Sequence, residues 1–391
     1  MPFLMEKETG KMNEPKTGFE YLEKMREKKR KDPAFSSYRQ YLEIKAREKG
    51  IPLNGQFELT PLCNFDCKMC YVHLTKQQME GPLPLSAADW KELMGEAWEC
   101  GMVRATLTGG ECLTYPGFKE IYLHLQSLGC QVTVLTNAYL LDENWCCFFK
   151  EHPPESIRVT LYGSDDDSYE RVTGQRVFGR VRDNILRLKE AGIPLTMTVT
   201  PTSLMGDSVF ETIRLAKSIT TRVIVSPGLY DAREETGRDG SGFELDPDYY
   251  LKVYRYVDEL DGIEVMPVPE DSLPEAGGDG KTPVKPGILC GGGRSSFAID
   301  WKGTLHPCSS LPHVRAFPMK DGFKNAWDSI NKVVSAWPAT QECEGCAYSS
   351  ICTRCPAYMM RFASPGTQPV EMCERIRYLV KNGVWHIPEF D

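Results

Sequence analysis

The hydrophobic pattern of the chain changes character at Gly55. Residues 1–50 are polar and helix-prone, and Pro33 divides two predicted helices because proline cannot continue a helical hydrogen-bond ladder. Beyond Gly55, short apolar or β-branched runs alternate with amphipathic stretches. Phe57–Thr60, Arg104–Thr108, Gln131–Thr136, Ser156–Tyr162, Pro194–Thr200 and Arg222–Ser226 read as strands. Ser86–Cys100, Gly117–Leu128, Asp142–Lys150, Val177–Ala191 and Ser208–Ile219 read as the intervening helices, the first capped by Ser86. Such alternation predicts an α/β fold, a parallel sheet with helices outside it. Six units rather than eight predict a partial (β/α)6 barrel, open on one side.

In such folds chemistry sits where the strands finish. The stretch Thr60–Tyr71, the turn Gly109–Glu111, Asn137 and Gly163 all follow predicted strands, so they converge on one mouth. Further on, Gly228–Gly242 reads as a polar connection and Asp246–Leu260 as a helix. Asp271–Gly287, rich in Pro, Gly and charge, reads as a linker. Ser296–Ile299 and Thr304–His306 predict a hairpin across Asp300–Gly303. Three regions result: a helical extension over 1–50, an α/β domain over 51–270 and a cysteine-rich domain over 288–380.

Composition narrows the classes. A net charge of −8 argues against general nucleic-acid binding. No apolar run reaches the roughly 20 residues that span a membrane, and Met1–Lys16 lacks the apolar core of a secretory signal. The expectation is a cytoplasmic protein. In that reducing compartment disulfides are rare, so 15 cysteines call for metal. Three cysteines lie in the first strand-end loop, five between Cys100 and Cys147, and seven between Cys290 and Cys373. The basic run Arg26–Lys31 reads as a solvated helix face or a contact for an acidic peptide.

The loop TPLCNFDCKMCY sets Cys63, Cys67 and Cys70 at Cys-x3-Cys-x2-Cys spacing. Three thiolates this close suit three irons of a cubane cluster and leave the fourth iron open. The competing reading is half a zinc site, although zinc favours paired Cys-x2–4-Cys knuckles. In the tail, Cys343, Cys346, Cys352 and Cys355 form two Cys-x2-Cys knuckles, with Cys373 on a following helix; a zinc ribbon is the alternative there. Cys112, directly after Glu111, reads as a small packed residue.

Together these motifs resemble a known family. The Cys63/Cys67/Cys70 loop with Tyr71 is similar to the signature of radical S-adenosylmethionine enzymes, and Gly109-Gly110-Glu111 resembles their GGE motif. The tail resembles the SPASM extension of peptide-modifying members, with Cys355 displaced by one residue from that pattern. The resemblance covers residues 52–380. It implies three 4Fe-4S clusters and S-adenosylmethionine, whose amino and carboxylate groups chelate the open iron and whose reductive cleavage gives a 5′-deoxyadenosyl radical. Gly109 and Gly110 are implied to approach the methionine amino group, with Glu111 supporting that edge. Tyr71 is implied beside the adenine, Thr160 at the ribose and Arg171 at the cofactor carboxylate, with Asn137 and Thr198 as further strand-end contacts. One auxiliary cluster takes Cys343, Cys346, Cys352 and Cys373. The other takes Cys290, Cys308 and Cys355, and its fourth position falls to an outside residue, water or the substrate; His306 is one candidate.

The implied function is modification of a ribosomally synthesised peptide by a thioether or carbon–carbon crosslink, or by epimerisation. The implied partners are a precursor peptide and an electron donor such as flavodoxin or ferredoxin, with no nucleic acid and no membrane. A sulfatase-maturase-like activity is an alternative, weakened because those enzymes place Asp where Ser309 stands and carry an extra cysteine between the counterparts of Cys290 and Cys308. Small-molecule dehydrogenation and a non-catalytic iron–sulfur electron carrier complete the alternatives.

Overall fold

The structure, a computed structural model, describes residues 38–79, 84–226, 228–229, 231–237, 242–262, 273–277, 286–352 and 354–384. The helix expected before Pro33, the basic run Arg26–Lys31 and most of the 271–287 stretch lie outside them. The first described helix, α1 (Tyr38–Lys49), leads through a turn into β1 (Asn54–Glu58).

Five further strands follow as expected: β2 (Arg104–Thr108), β3 (Gln131–Thr136), β4 (Ser156–Leu161), β5 (Leu195–Val199) and β6 (Val223–Val225). All pair in parallel, each with its predecessor. Between them run α2 (Ala87–Glu99), α3 (Phe118–Ser127), α4 (Glu143–Glu151), α5 (Asp166–Thr173), α6 (Phe178–Glu190) and α7 (Ser208–Ile219). Local chemistry explains the helix starts. Ser86 and Asp89 form a reciprocal capping box on α2, and the Asp142 carboxylate accepts the Trp145 N–H at the start of α4. Leu107, Val134, Val159 and Met197 are fully buried along successive strands, and Trp90 packs edge-on against Phe57.

After α8 (Pro247–Leu260) the chain returns to the same sheet. β7 (Ser296–Ile299) lies parallel to β1, with Asn54 opposite Ser296 and Phe57 opposite Ile299. β8 (Leu305–His306) folds back antiparallel on β7. The order β6-β5-β4-β3-β2-β1-β7-β8 runs from edge to edge, so the barrel is unclosed, as predicted. The hairpin expected in the cysteine-rich region is thus continuous with the α/β sheet. Strand periodicity reveals a face to bury, not the neighbour that will pair.

Beyond β8 come α9 (Pro318–Asp321), α10 (Phe323–Ser335), α11 (Pro356–Met359) and α12 (Val370–Lys381). A small second core of Leu273, Tyr348, Ile351, Met372, Ile376 and Val380 supports the cysteine-rich tail. Among the described residues, no helix is long and apolar enough to cross a membrane.

Candidate iron–sulfur and cofactor site

The cysteine loop leaves β1 at the carboxyl end of the sheet and is pinned from two sides. On one side is the turn after β2. The Gly110 N–H donates to Thr60 O at 2.7 Å and the Glu111 N–H to Leu62 O at 2.9 Å. A Cβ on Gly109 would stand 2.3 Å from Thr60 O, and one on Gly110 would stand 2.4 Å from Leu62 O. Gly109 also has φ 141°, a conformation that favours glycine. Both glycines are therefore required by the close passage of the cysteine loop itself. On the other side is α5, a short polar helix absent from the sequence expectation. The last-turn carbonyls of Val172 and Thr173 accept the Lys68 and Asp66 N–H groups at 3.1 and 3.2 Å.

Glu111 is a buried brace. One carboxylate oxygen accepts the Thr136 hydroxyl and the Leu113 N–H, and the other accepts the Asn137 N–H at 2.8 Å. Burial nevertheless raises its pKa, because those hydrogen bonds only partly offset desolvation. Asn137 carries the brace onward: its Nδ2 donates to Asn64 Oδ1 at 2.9 Å and lies 3.7 Å from the Cys63 sulfur. The Phe65 N–H points at the same sulfur, 3.3 Å away. Cys112 is buried with its sulfur 3.1 Å from Leu135 O, the packed position expected of it.

Burial pushes the Cys63 thiol up to about 12, with Glu111 and Cys70 adding repulsion. It raises Cys67 well above its ordinary value, with Cys70 and Cys63 as the next contributors. Three mutually repelling, poorly solvated thiols are an unfavourable set of anions unless cations neutralise them. N–H groups aimed at sulfur are the surroundings that iron–sulfur clusters use. The donor set thus fits a cluster held at three irons.

Among the tail cysteines, two sets of thiols act on one another. Burial lifts Cys308 to about 12, and Cys290 and Cys355 are the thiols acting on it. Burial also lifts Cys343 to about 12, where Cys352, Cys373 and Cys346 are the thiols acting on it. Gln368 Nε2 lies 3.8 Å from the Cys373 sulfur. Among the described residues, no three His, Cys, Asp or Glu side chains are arranged to hold a single metal ion. His306 is not available to the three-cysteine group: Nδ1 faces Val314 O at 3.1 Å and Nε2 faces Asp300 Oδ2 at 3.3 Å.

Thr160 and Thr198 stand opposite each other at the ends of β4 and β5. The Thr198 hydroxyl is buried with no hydrogen-bond partner among the described residues, an acceptor or donor in want of one. Arg171 is exposed, and its guanidinium bonds to Leu204 O at 3.2 Å and Met205 O at 3.4 Å. Tyr71 is enclosed at its hydroxyl end. Burial raises its pKa to about 12, and its side chain meets Ser309 and the Glu58–Arg233 pair. That setting gives the Tyr71 hydroxyl protein partners. Glu58, Arg233 and α5 were missed by sequence reasoning. A charged residue at the end of a buried strand was the only available signal, and it marked Glu58 alone.

The Radical SAM superfamily model matches residues 57–218. The sporulation killing factor maturation protein SkfB of Bacillus subtilis (strain 168) is 27% identical over 164 residues, which is 42% of this chain but only 39% of that relative's length. The AdoMet-dependent heme synthase of Methanosarcina barkeri (strain Fusaro / DSM 804) is 23% identical over 77% of this chain and 90% of its own. Among solved structures, Streptococcus suis SuiB bound to precursor peptide SuiA superposes with a TM-score of 0.62 at 16% identity, covering 85% of this chain and 79% of that one. That last likeness is one of fold. With the three-cysteine loop braced by Gly-Gly-Glu at the mouth of an open parallel sheet, residues 57–218 are a radical SAM superfamily domain.

Proposed function

We propose that this chain is a radical S-adenosylmethionine maturase of a ribosomally made peptide, forming a thioether or carbon–carbon crosslink or an epimerised residue. The observation that carries the reading is the loop of Cys63, Cys67 and Cys70 pinned against Gly109–Glu111 at the mouth of the open parallel sheet. The relatives named for killing-factor maturation and for binding a precursor peptide support the substrate class.

In this reading Cys63, Cys67 and Cys70 hold one four-iron cluster. Cys343, Cys346, Cys352 and Cys373 hold a second, and Cys290, Cys308 and Cys355 hold a third with one position left for water or substrate. When bound, the first cluster and S-adenosylmethionine supply a 5′-deoxyadenosyl radical that takes a hydrogen atom from the substrate. The chain's own residues hold and shield. Phe65 N–H and Asn137 polarise the Cys63 sulfur, and Glu111 fixes Asn137. Gly109 and Gly110 let the turn lie close against the cysteine loop, and so present its backbone to the cofactor's methionine edge, while the hydroxyls of Thr160 and Thr198 serve the ribose. Flavodoxin or ferredoxin is the proposed electron source.

The test is anaerobic reconstitution, followed by S-adenosylmethionine, dithionite and a candidate peptide. About twelve irons per chain, 5′-deoxyadenosine and a peptide that loses two hydrogens support a crosslink. An unchanged mass with an inverted residue supports epimerisation. The heme synthase match, which spans most of both chains, favours small-molecule dehydrogenation as the second reading. It gains if 5′-deoxyadenosine forms but no peptide is altered.

A further inference from the structure

Arg233 stands where three parts of the chain meet. Its backbone N–H donates to Tyr71 O at 3.2 Å, directly after Cys70. Its guanidinium donates to both Glu58 oxygens, at 2.7 and 2.8 Å, at the end of the strand that feeds the cysteine loop. Nη2 also donates to Ser309 O at 3.2 Å, directly after Cys308. The pair is almost fully enclosed, with 9% of the Arg233 side chain and 3% of the Glu58 side chain exposed. Neighbouring contacts hold the same segment. Gln78 Nε2 donates to Thr236 O at 2.7 Å, and Lys302 Nζ meets Glu235 at 2.6 Å. Arg361 Nε donates to Asp231 at 3.1 Å from the cysteine-rich tail.

We infer that Arg233 is a positioning residue that fixes the Cys308 loop against the Cys63–Cys70 loop, and so sets where the open position of the Cys290/Cys308/Cys355 group lies relative to the radical site. The inference deepens the proposed function and rests on it for its catalytic arm. A buried ion pair is a poor way to gain stability, since apolar residues of similar volume serve as well. What the guanidinium adds is direction. Its planar fork satisfies a carboxylate and a carbonyl at fixed angles, which a lysine ammonium does not reproduce. Each anchor adjoins a cysteine ligand or the strand that leads to one. A shift of about 1 Å in such a register is enough to lower turnover on the order of 100-fold.

The experiment compares Arg233→Lys and the double variant Glu58→Leu/Arg233→Met with the wild-type holoprotein. The double variant removes the direction of the contact without stranding a buried charge. Iron content, unfolding midpoint, hydrogen exchange and the electron paramagnetic resonance of each reduced cluster are read alongside product formed per 5′-deoxyadenosine. The expected result is retained iron, joint loss of protection at 71–74 and 305–311, and an altered signal from the Cys290/Cys308/Cys355 cluster with that of the Cys343 group unchanged. Product per 5′-deoxyadenosine falls at least ~10-fold. Iron-loaded variants with wild-type spectra, protection and coupling overturn the inference. If the double variant does not load iron, Arg233→Lys decides by the same readouts. If the wild type makes no 5′-deoxyadenosine, the proposed function fails instead, and the exchange and spectroscopic results still decide the role of Arg233.

Discussion

At the scale of single residues, the site is built from groups whose surroundings leave few substitutes. A methyl group on Gly110 meets the Leu62 carbonyl, which belongs to the loop backbone and cannot swing aside. Gly110→Ala is expected to destabilise the fold by about 1–3 kcal/mol in denaturant unfolding and to lower iron retention at the Cys63 loop. Asn137→Ala removes the side-chain N–H nearest the Cys63 sulfur and the link to Asn64. Its expected outcome is a cluster that still forms but has a lower midpoint potential in redox titration, because less positive charge faces the sulfur. The cysteines and the Gly-Gly-Glu turn were legible because their chemistry is local: spacing alone reports that the groups are close. The Glu58–Arg233 pair was not legible, since 175 residues separate its partners and nothing in either neighbourhood names the other. His306 illustrates the opposite failure. It neighbours Cys308 in sequence, yet both ring nitrogens are engaged elsewhere.

At the scale of elements, the six parallel strands were legible because β-branched runs end in turn residues and alternate with capped amphipathic helices. Their register was not, and neither was the addition of β7 to the free edge of β1. The short helix α5 escaped because its sequence, DDSYERVT, is polar and begins with two acidic residues, which reads as loop. Its stability rests on the Asp165–Ser168 capping box and on the turn at Gly174. Removing the cap with Asp165→Ala is expected to cost ~1 kcal/mol. Hydrogen exchange checks the consequence: the Asp66 and Lys68 amides, which donate to the carbonyls that end α5, should exchange faster, while those of β3 remain protected.

At the scale of the whole molecule, an open sheet carries the radical loop at one mouth, and the hairpin that extends its β1 side leads into the cysteine-rich tail. The tail has its own small core, with Cys346 and Cys352 packed against it, while Cys63, Cys67 and Cys70 belong to the main core. Cys373→Ala is therefore expected to lower iron by about four atoms per chain while leaving S-adenosylmethionine cleavage detectable, as measured by iron analysis and 5′-deoxyadenosine yield. The most direct measurement compares the reconstituted wild type with the triple variant Cys63→Ala/Cys67→Ala/Cys70→Ala in the presence of S-adenosylmethionine and dithionite. The expected result is about twelve irons and steady 5′-deoxyadenosine formation for the wild type, against about eight irons and none for the variant. Stoichiometric zinc in the tail, or 5′-deoxyadenosine formed equally by both proteins, contradicts it.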